Sequence, residues 1–467
     1  MASSILSIPP EILRMIFAPL SPSDLHAVCL TRRNWRSVAE PFLYAHVEWT
    51  WTNTEYPPII QFLRNVVDRP ELGSFVHVMI LRGDCFYIDA RSYRDKSPKL
   101  LVTEVVLDEL VNYIERIHIP YAEQWIGELR AGTMDAFVTL LLSQLPSLRC
   151  LYLDQNFARE SRLMGMMLRS ALCEEPQVSH LSSFAHLQDV TIVYPFIGLD
   201  TRRYTDVRNT TDVLPLLYLP SVERIRTFVD NPITFMWPGK YPPNPSRLAS
   251  LDLTMLREGH LGQVLSVTRG LRKLQWDWYY RPDIKDHFVR NIIDLDQIAA
   301  DLSHVQETLT DLTITAGSDC SEADAERPEV TFSGSFKAFS GLHMIEKLEV
   351  PIPFLLGFSS SAPNVVGLEE ALPGNIQWLT LTDDLCLQYE WEWQWETEYL
   401  LGVLRSWLQD WRKSTPRLQG FRLLMRVFKV RHWDPELIQG LRDMGAQTGI
   451  RIEIIEERRK WAGKMES

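Results

Sequence analysis

The residue types that most often perform acid–base or metal chemistry are scattered along this sequence of 467 residues. None of the eleven histidines stands at metal-ligand spacing from a cysteine or another histidine. The adjacent acids Asp383 and Asp384 could form an acid–base pair, but neighbouring carboxylates after a strand are more typical of a turn or a cap. Glycine-rich phosphate loops, the GxSxG serine elbow and the HExxH zinc motif do not occur. The sequence therefore predicts a non-catalytic protein with no metal site and no cofactor.

Two further features carry reactive or adhesive side chains. The six cysteines lie far apart and form no CxxC pair, which favours free thiols in a reducing compartment over a disulfide framework. Cys29 falls on the apolar face of a predicted helix, where packing is a more common role than nucleophilic attack. In segment 389–396, aromatic residues alternate with acids and one glutamine. This segment could grip a basic or proline-rich peptide, although sealing the apolar edge of a sheet is the favoured role.

The charge and composition exclude several classes of partner. The formal net charge is -12, which repels phosphate backbones and anionic lipid, so neither nucleic acid nor a membrane is a predicted partner. Pro9, Pro10 and Glu11 interrupt what would have to be the apolar region of a secretory signal. The sequence contains no uninterrupted apolar stretch long enough to span a bilayer. We therefore expect a cytoplasmic or nuclear protein.

Residues 5–47 predict three short helices. Pro9 and Pro10 suit only a first helical turn, and Ser21-Pro22-Ser23-Asp24 combines a hydroxyl cap, an early proline and an acid, which together start a second helix. A third apolar stripe begins at Trp35 and should bend or end at Pro41. Three short helices bury too little surface to be stable alone, so this module needs a partner or the rest of the chain.

The order of apolar residues in this module resembles the F-box pattern. The matching run is Ile8-Pro9-x-Glu11-Ile12-Leu13-x-x-Ile16-Phe17-x-x-Leu20, then Asp24-Leu25, Val28-Cys29 and Trp35. Residues 39–47 are similar to F-boxes of a large fungal group. Two features depart from the pattern, namely Ile8 where leucine is usual and a longer stretch at 30–34.

The resemblance implies an F-box at residues 1–50 that binds a Skp-family adaptor and, through it, a cullin ubiquitin ligase. It also implies that nine residues divide between the module's own core and the adaptor interface: Pro9, Ile12, Leu13, Ile16, Phe17, Leu20, Leu25, Val28 and Trp35. The first expected anchors are Pro9, Ile12 and Phe17. The alternative is an amphipathic helical cap packed on the following domain.

A repeated strand signal occupies the rest of the chain. The unit apolar-x-x-apolar-x-apolar recurs at nine places between Val76 and Leu423, with a degraded copy at 222–227. Helical stretches separate the copies, and a final helix-to-strand unit begins at Asp434-Pro435. Strands that return after helices predict parallel neighbours in a curved α/β stack. A single such run occurs in any parallel sheet, but nine in one chain favour a repeat.

The repeated units resemble leucine-rich repeats, and one copy continues to Asn156, where that family's ladder asparagine lies. The predicted fold is α/β, a short three-helix F-box followed by an irregular leucine-rich-repeat-like α/β solenoid. The predicted boundaries are an F-box at 1–50, a linker or first helix at 51–74, the repeat domain at 75–456 and a charged tail at 457–467. The combination resembles basidiomycete-type F-box proteins.

The residue between the last two apolar positions of each copy points to the opposite face of its strand. In the later copies it is polar or carries a polar group: Tyr152, Thr191, Arg226, Asp252, Gln275, Thr313, Glu349, Thr380 and Arg422. One face of the predicted sheet is thus buried and the other solvated. The predicted target-binding residues are Tyr152, Arg226, Asp252, Gln275, Glu349 and Arg422. The alternative is an ordinary solvated face.

The functional prediction is a substrate-recognition subunit of an SCF-type (Skp adaptor, cullin, F-box) ubiquitin ligase that holds an unknown target protein near a ubiquitin-conjugating enzyme. The main alternative is an interaction scaffold whose F-box-like helices cap the solenoid, so that removing residues 1–47 would destabilise the remainder. A receptor for a small molecule in the repeat concavity is a weaker alternative, and an enzyme is the weakest.

Overall fold

The structure is a computed structural model that describes residues 8–52, 55–83, 99–158, 161–174, 181–193, 209–280, 282, 289–318, 328–359, 366–386, 397–426 and 435–457. The predictions for the aromatic segment 389–396 and for tail residues 458–467 lie outside the described residues. The chain divides into two compact units. The first comprises 1–198, 211–223 and 237–243, and the second comprises 199–210, 224–236 and 244–467.

The first unit opens with the three predicted helices, α1 (Pro10–Phe17), α2 (Pro22–Thr31) and α3 (Arg33–Ala45). The Ser21 hydroxyl caps α2, because its oxygen accepts the Asp24 N–H at 3.2 Å. Pro41 lies inside α3, so of the two expected effects of this proline, a bend or an end of the helix, the end does not occur. The one backbone hydrogen bond that Pro41 cannot donate would have ended at residue 37, which is exposed and can be hydrated instead.

The first unit contains further helices beside a small parallel sheet. They are α4 (Ile59–Asp68), α5 (Pro70–Phe75), α6 (Glu104–Arg116), α7 (Ala122–Arg130), α8 (Met134–Ser143), α9 (Gln155–Ala158) and α10 (Arg162–Leu172), followed by α11 (Thr210–Val213) and a 3₁₀ helix at Leu214–Tyr218. All ten residues of α8 are buried, so this helix lies in the interior of the unit.

The strands of the first unit are β1 (His46–Thr50), β2 (Val78–Arg82), β3 (Cys150–Leu153) and β4 (Asp189–Ile192), parallel and in chain order. Strands β2 to β4 confirm the first three copies of the predicted unit. Strand β1 was not predicted, and it starts one residue after α3 ends. The helical module therefore leads directly into the sheet with no linker at residue 50.

The second unit contains a larger parallel sheet. Its strands are β5 (Arg224–Phe228), β6 (Ser250–Thr254), β7 (Lys273–Tyr280), β8 (Ile292–Asp294), β9 (Asp311–Ser318), β10 (Thr331–Ser333), β11 (Lys347–Pro351), β12 (Trp378–Thr382), β13 (Gly420–Met425) and β14 (Arg451–Glu456). Eight of them pair in the order β5-β6-β7-β9-β11-β12-β13-β14, while β8 and β10 form a separate parallel pair. The predicted strands from 222 to 454 are thus confirmed as parallel neighbours.

Helices lie between several of these strands. They are α12 (Leu261–Leu265), α13 (Leu295–Ser303), α14 (Pro353–Leu356), α15 (Leu368–Ala371), α16 (Thr397–Gln409), α17 (Trp411–Ser414) and α18 (Pro435–Thr448). The apolar side of α16 is buried, and Trp407 packs edge-to-face on Phe421 of β13 at 6.1 Å between ring centroids. The mixed α/β class with a large parallel sheet is confirmed, and the solenoid stays a prediction. Within the described residues, no helix has the length and apolar composition needed to cross a membrane.

Candidate functional site

Helices α1 to α3 share a small core. Leu13, Phe17, Leu25 and Ala39 are buried at its centre, and Phe17 meets the Trp35 ring edge-on at 6.0 Å. Partly buried side chains pack around this centre: Ile8, Leu20, Val28, Cys29, Trp35, Val38, Phe42 and Leu43. Six of the nine predicted adaptor-binding residues thus belong to the module's own packing, either at its centre (Leu13, Phe17, Leu25) or around it (Leu20, Val28, Trp35).

The other predicted residues lie on the outer face of the module. Ile12 is 46% exposed and Ile16 is 47% exposed, and Pro9 before them is also exposed. Met15, 73% exposed, completes an i, i+3, i+4 set with them on α1. Leu30 at the end of α2 is 74% exposed. Met15 and Leu30 were not among the predicted residues, although helical spacing from Ile12 would have identified Met15.

Phe17, one of the three expected anchors, lies inside the module. Its side chain is only 3% exposed, so it supports the module from inside and offers almost no surface to a partner. A contiguous set of exposed apolar side chains is instead found at Ile12, Met15 and Ile16. Such exposed apolar surface marks interaction sites on proteins.

An ion-pair cluster joins the module to the helices that follow it. The Glu40 carboxylate on α3 accepts hydrogen bonds from Arg69 Nη1 and Nη2 at 2.9 and 2.8 Å, and from Arg36 Nε at 2.7 Å. Glu40 is buried, and the hydrogen bonds from Arg69 lower the pKa of its carboxyl group to about 2. Arg69 lies between α4 and α5 and also binds Glu71 at 2.9 Å. Paired guanidinium–carboxylate geometry of this kind fixes orientation as well as adding stability.

The predicted target-binding residues fall on in-register positions of the sheets. In the second unit, pairings between neighbouring strands place one residue per strand in a single row: Arg226, Asp252, Gln275, Thr313, Glu349, Thr380, Arg422 and Glu453. Five of the six predicted residues belong to this row. The sixth, Tyr152, lies in the first unit between Ile80 and Thr191, with the Arg82 guanidinium 5.4 Å from its ring.

Several side chains of this row are already ion-paired. Arg226 Nε lies 3.1 Å from Asp252, and Arg422 Nε and Nη2 donate to the same oxygen of Glu453 at 2.9 and 2.7 Å. Glu349 binds Arg426 at 2.6 Å. Glu453 on β14 was not predicted, because its strand falls outside the nine counted copies.

The carboxylates of Asp383 and Asp384 are fully buried after β12. Asp383 Oδ1 accepts the backbone N–H of Arg426 at 2.6 Å, and Asp384 Oδ2 accepts the N–H of Ala316 at 3.3 Å. Arg426 Nη1 lies 3.4 Å from Asp384. These acids tie together the ends of β9, β12 and β13. Among the described residues, no group of three histidine, cysteine, aspartate or glutamate side chains could hold a metal ion.

Two asparagines link the ends of different strands, Asn156 from β3 to β1 across β2 and Asn231 from β5 to the neighbouring β6. Asn156 Nδ2 donates to the Trp51 carbonyl at 3.1 Å, as a ladder position should. Asn231 was not predicted, but its Nδ2 donates to the Met255 carbonyl at 2.9 Å and its Oδ1 accepts the Arg257 N–H at 2.8 Å. Both asparagines are buried, and each lies three residues beyond the end of its strand. This shared position after a strand is the sequence pattern that could have identified Asn231 together with Asn156.

Comparison with known proteins identifies the helical module. A family model described as F-box-like matches residues 5–48, which span α1 to α3 and the first residues of β1. A search of curated proteins finds no match to the chain. Residues 5–48 are therefore an F-box-like domain.

Proposed function

We propose that this protein is a substrate-recognition subunit of an SCF-type ubiquitin ligase. The F-box-like domain binds a Skp-family adaptor and, through it, a cullin, while the polar faces of the sheets bind a target protein. The single observation that carries the proposal is the exposed apolar face of α1, formed by Ile12, Met15 and Ile16. An F-box-like domain is a protein-interaction module, and this face holds three of its exposed apolar side chains.

The size of this face suits the apolar centre of an interface. Complete burial of one large aliphatic side chain contributes about 1.5–3 kcal/mol, and Ile12 and Ile16 are each about half exposed. Together with Met15 they would contribute about 3–4 kcal/mol on burial, enough to anchor an interface of standard size. Polar contacts around these anchors would supply orientation.

The connection between the module and the sheet supports a positioning role. Helix α3 continues into β1, β1 pairs with β2, and Glu40 is clamped by Arg69. A stiff link limits the directions in which an adaptor bound to α1 can move relative to the first unit. Proximity is the whole mechanism, because a target lysine held near a reactive thioester reacts at high effective concentration.

The repeat domain is proposed to be leucine-rich-repeat-like. The in-register polar row and the bridging asparagines Asn156 and Asn231 support this assignment. The domain would present its polar face to the target in the cytoplasm or nucleus, where free cysteines are expected.

The test is a pull-down with a purified Skp-family adaptor. The full chain should retain stoichiometric adaptor, and an Ile12→Asp, Ile16→Asp variant should retain none, because two carboxylates would be buried unpaired in the interface. The matched control is Leu101→Asp, since Leu101 is 91% exposed in the same unit but outside the module. Circular dichroism should show the same fold for all three proteins. Failure of the unmodified, folded chain to bind adaptor would refute the proposal.

The scaffold alternative cannot be tested by deleting residues 1–47. That deletion removes His46 and Val47 from β1, whose five residues pair with β2, so it would destabilise the first unit under either function. The point variants avoid this problem because their side chains face solvent. A folded chain that binds no adaptor would favour the scaffold.

A further inference from the structure

A cavity of about 400 Å³ opens on the polar face of the second unit's sheet. It spans β7, β9, β11, β12 and β13, and its principal lining side chains are Lys273, Thr313, Lys347, Trp378, Thr380 and Arg422. Thr313 and Thr380 are its small side chains, and the larger Lys273, Lys347, Trp378 and Arg422 stand around them. The in-register pairing of Lys273, Asp311, Lys347 and Trp378 sets this arrangement, since each is opposite the next.

The lining is richer in cations than in free carboxylates. Two acids, Asp311 and Glu349, also line the cavity. Asp311 pairs with Lys347 at 3.2 Å, and Glu349 is bound at 2.6 Å by Arg426, which is not part of the lining. Lys273 has no carboxylate within ion-pair distance among the described residues and is exposed. The lining side chains are three cations and two carboxylates, so they carry one more positive than negative charge, although Lys273 also acts electrostatically on Asp252 of the neighbouring strand.

Trp378 forms an aromatic wall beside two guanidinium groups. Gly420 leaves room for the indole, because a Cβ there would lie 2.3 Å from the ring. Arg422 and Arg451 lie 5.8 and 5.9 Å from the ring centroid, and they share one carboxylate, Glu453. Arg422 lines the cavity and Arg451 does not, so Arg422 is the guanidinium that meets a ligand beside the partly buried indole.

We propose that this cavity binds an acidic segment of the target protein, with its carboxylates at Lys273, Lys347 and Arg422 and an apolar side chain against Trp378. This inference rests on the proposed function, because it treats the sheet's polar face as the surface that receives the target. Charge complementarity carries it. Lys273 is exposed, and Lys347 and Arg422 remain 64% and 36% exposed beside their own carboxylates, so an acceptor-rich partner can bind all three, whereas a basic segment would be repelled.

Other ligand chemistries fit less well. Sites for uncharged small molecules are mostly apolar and enclosed, whereas this cavity is open on a sheet face and has charged walls. A strand-like peptide would cross successive strands at about 4.8 Å each, so it can meet Lys273, Lys347 and Arg422 in turn. The positive patch would also steer acidic segments toward it, an effect that salt screens.

The test measures fluorescence anisotropy of labelled peptides with the full chain. The probes are a short peptide of glutamate and aspartate around one leucine, its glutamine and asparagine isostere, and its lysine and arginine counterpart. The acidic probe alone should bind, and its affinity should fall as salt is raised. Lys347→Glu, at a side chain that is 64% exposed, should weaken binding about tenfold or more. Lys413→Glu is the matched control. Lys413 is also paired with an aspartate, Asp410, and is 78% exposed, but it lies on α17 and does not line the cavity.

The possible outcomes distinguish failure of the acidic-segment site from failure of the proposed ligase function. Equal binding of the acidic probe and its isostere, or an equal loss in Lys413→Glu, would overturn the inference. Displacement of the probe by millimolar inorganic phosphate would also overturn it in favour of a small-anion site. If the adaptor pull-down succeeds and no peptide binds, only this inference fails. If the acidic probe binds and no adaptor does, the proposed ligase function fails while the site stands.

Discussion

The Glu40 cluster gives the most direct test of how the F-box-like domain is held on the first unit. We expect Glu40→Gln to loosen α3 and α5, because the neutral amide loses charge-assisted hydrogen bonds from Arg69 and Arg36. Arg69 keeps its exposed partner Glu71 at 2.9 Å. The side chain that remains at position 40 has nearly the same size, so packing changes little.

The magnitude follows from the pKa of Glu40. The folded protein lowers it from 4.5 to about 2, chiefly through the hydrogen bonds from Arg69, and each unit corresponds to 1.36 kcal/mol. That shift gives about 3 kcal/mol as an upper value. Arg69 and Arg36 side chains are 36% and 53% exposed, so solvent screening reduces the expected contribution to about 1–3 kcal/mol.

The pH dependence of this contribution has a definite sign. A carboxyl group whose pKa is lower in the folded than in the unfolded chain stabilises the fold above the unfolded pKa. The contribution of Glu40 should therefore be complete above pH 4.5 and disappear as the pH falls toward about 2. The difference in stability between the unmodified chain and Glu40→Gln should narrow over this interval.

Hydrogen exchange followed by mass spectrometry suits a chain of two units, because a single unfolding free energy is not defined for it. At neutral pH, peptides from α3 and α5 should exchange about fivefold to one-hundredfold faster in Glu40→Gln. Glu71→Gln is the matched control, because its 54% exposed carboxylate also binds Arg69 but is screened by solvent and should contribute much less than Glu40. Unchanged exchange in α3, or an equal effect of both variants, would refute the reasoning.

Three further predictions concern stability. Phe17→Ala should destabilise the F-box-like domain by about 3–5 kcal/mol, because the ring is at the centre of the core that α1 to α3 share. Hydrogen exchange should increase selectively in these three helices. Exchange equal to that of the unmodified chain would contradict this prediction. Gly73→Ala should destabilise the first unit by about 1–3 kcal/mol in chemical denaturation, since its Cβ would lie 2.2 Å from the Gln144 carbonyl oxygen. Burial raises the pKa of Asp135 from 3.8 to about 7, so the folded chain binds this proton more tightly and stability should fall as pH rises between these values. Thermal denaturation across this range should be less pH-dependent in Asp135→Asn, and an unchanged slope would count against the assignment.

The elements of this protein follow from local patterns in its sequence. The hydroxyl, proline and acid at Ser21, Pro22 and Asp24 start α2, and the recurring apolar unit places the parallel strands. The polar row from Arg226 to Arg422 was also predictable, because equal spacing within each copy becomes equal register once the copies pair in parallel. Strand β1 was not predicted, because five alternating residues directly after a helix carry little periodic signal.

The sites needed the tertiary structure. Ile12, Leu13, Ile16 and Phe17 are all apolar and share one broad stripe, so the sequence could not decide which of them face inward; packing against α2 and α3 decided it. The Glu40–Arg69 clamp joins residues from different helices, so no short-range pattern predicts it.

The cationic cavity likewise gathers Lys273, Lys347, Trp378 and Arg422 from four strands separated by helices. The sequence by itself determined the F-box-like helices and the parallel strands, because helices and strands depend on the periodic spacing of apolar residues that are close together in the chain. Only the tertiary structure decided which side chains are exposed and which charges meet, because those depend on contacts between residues far apart in the chain.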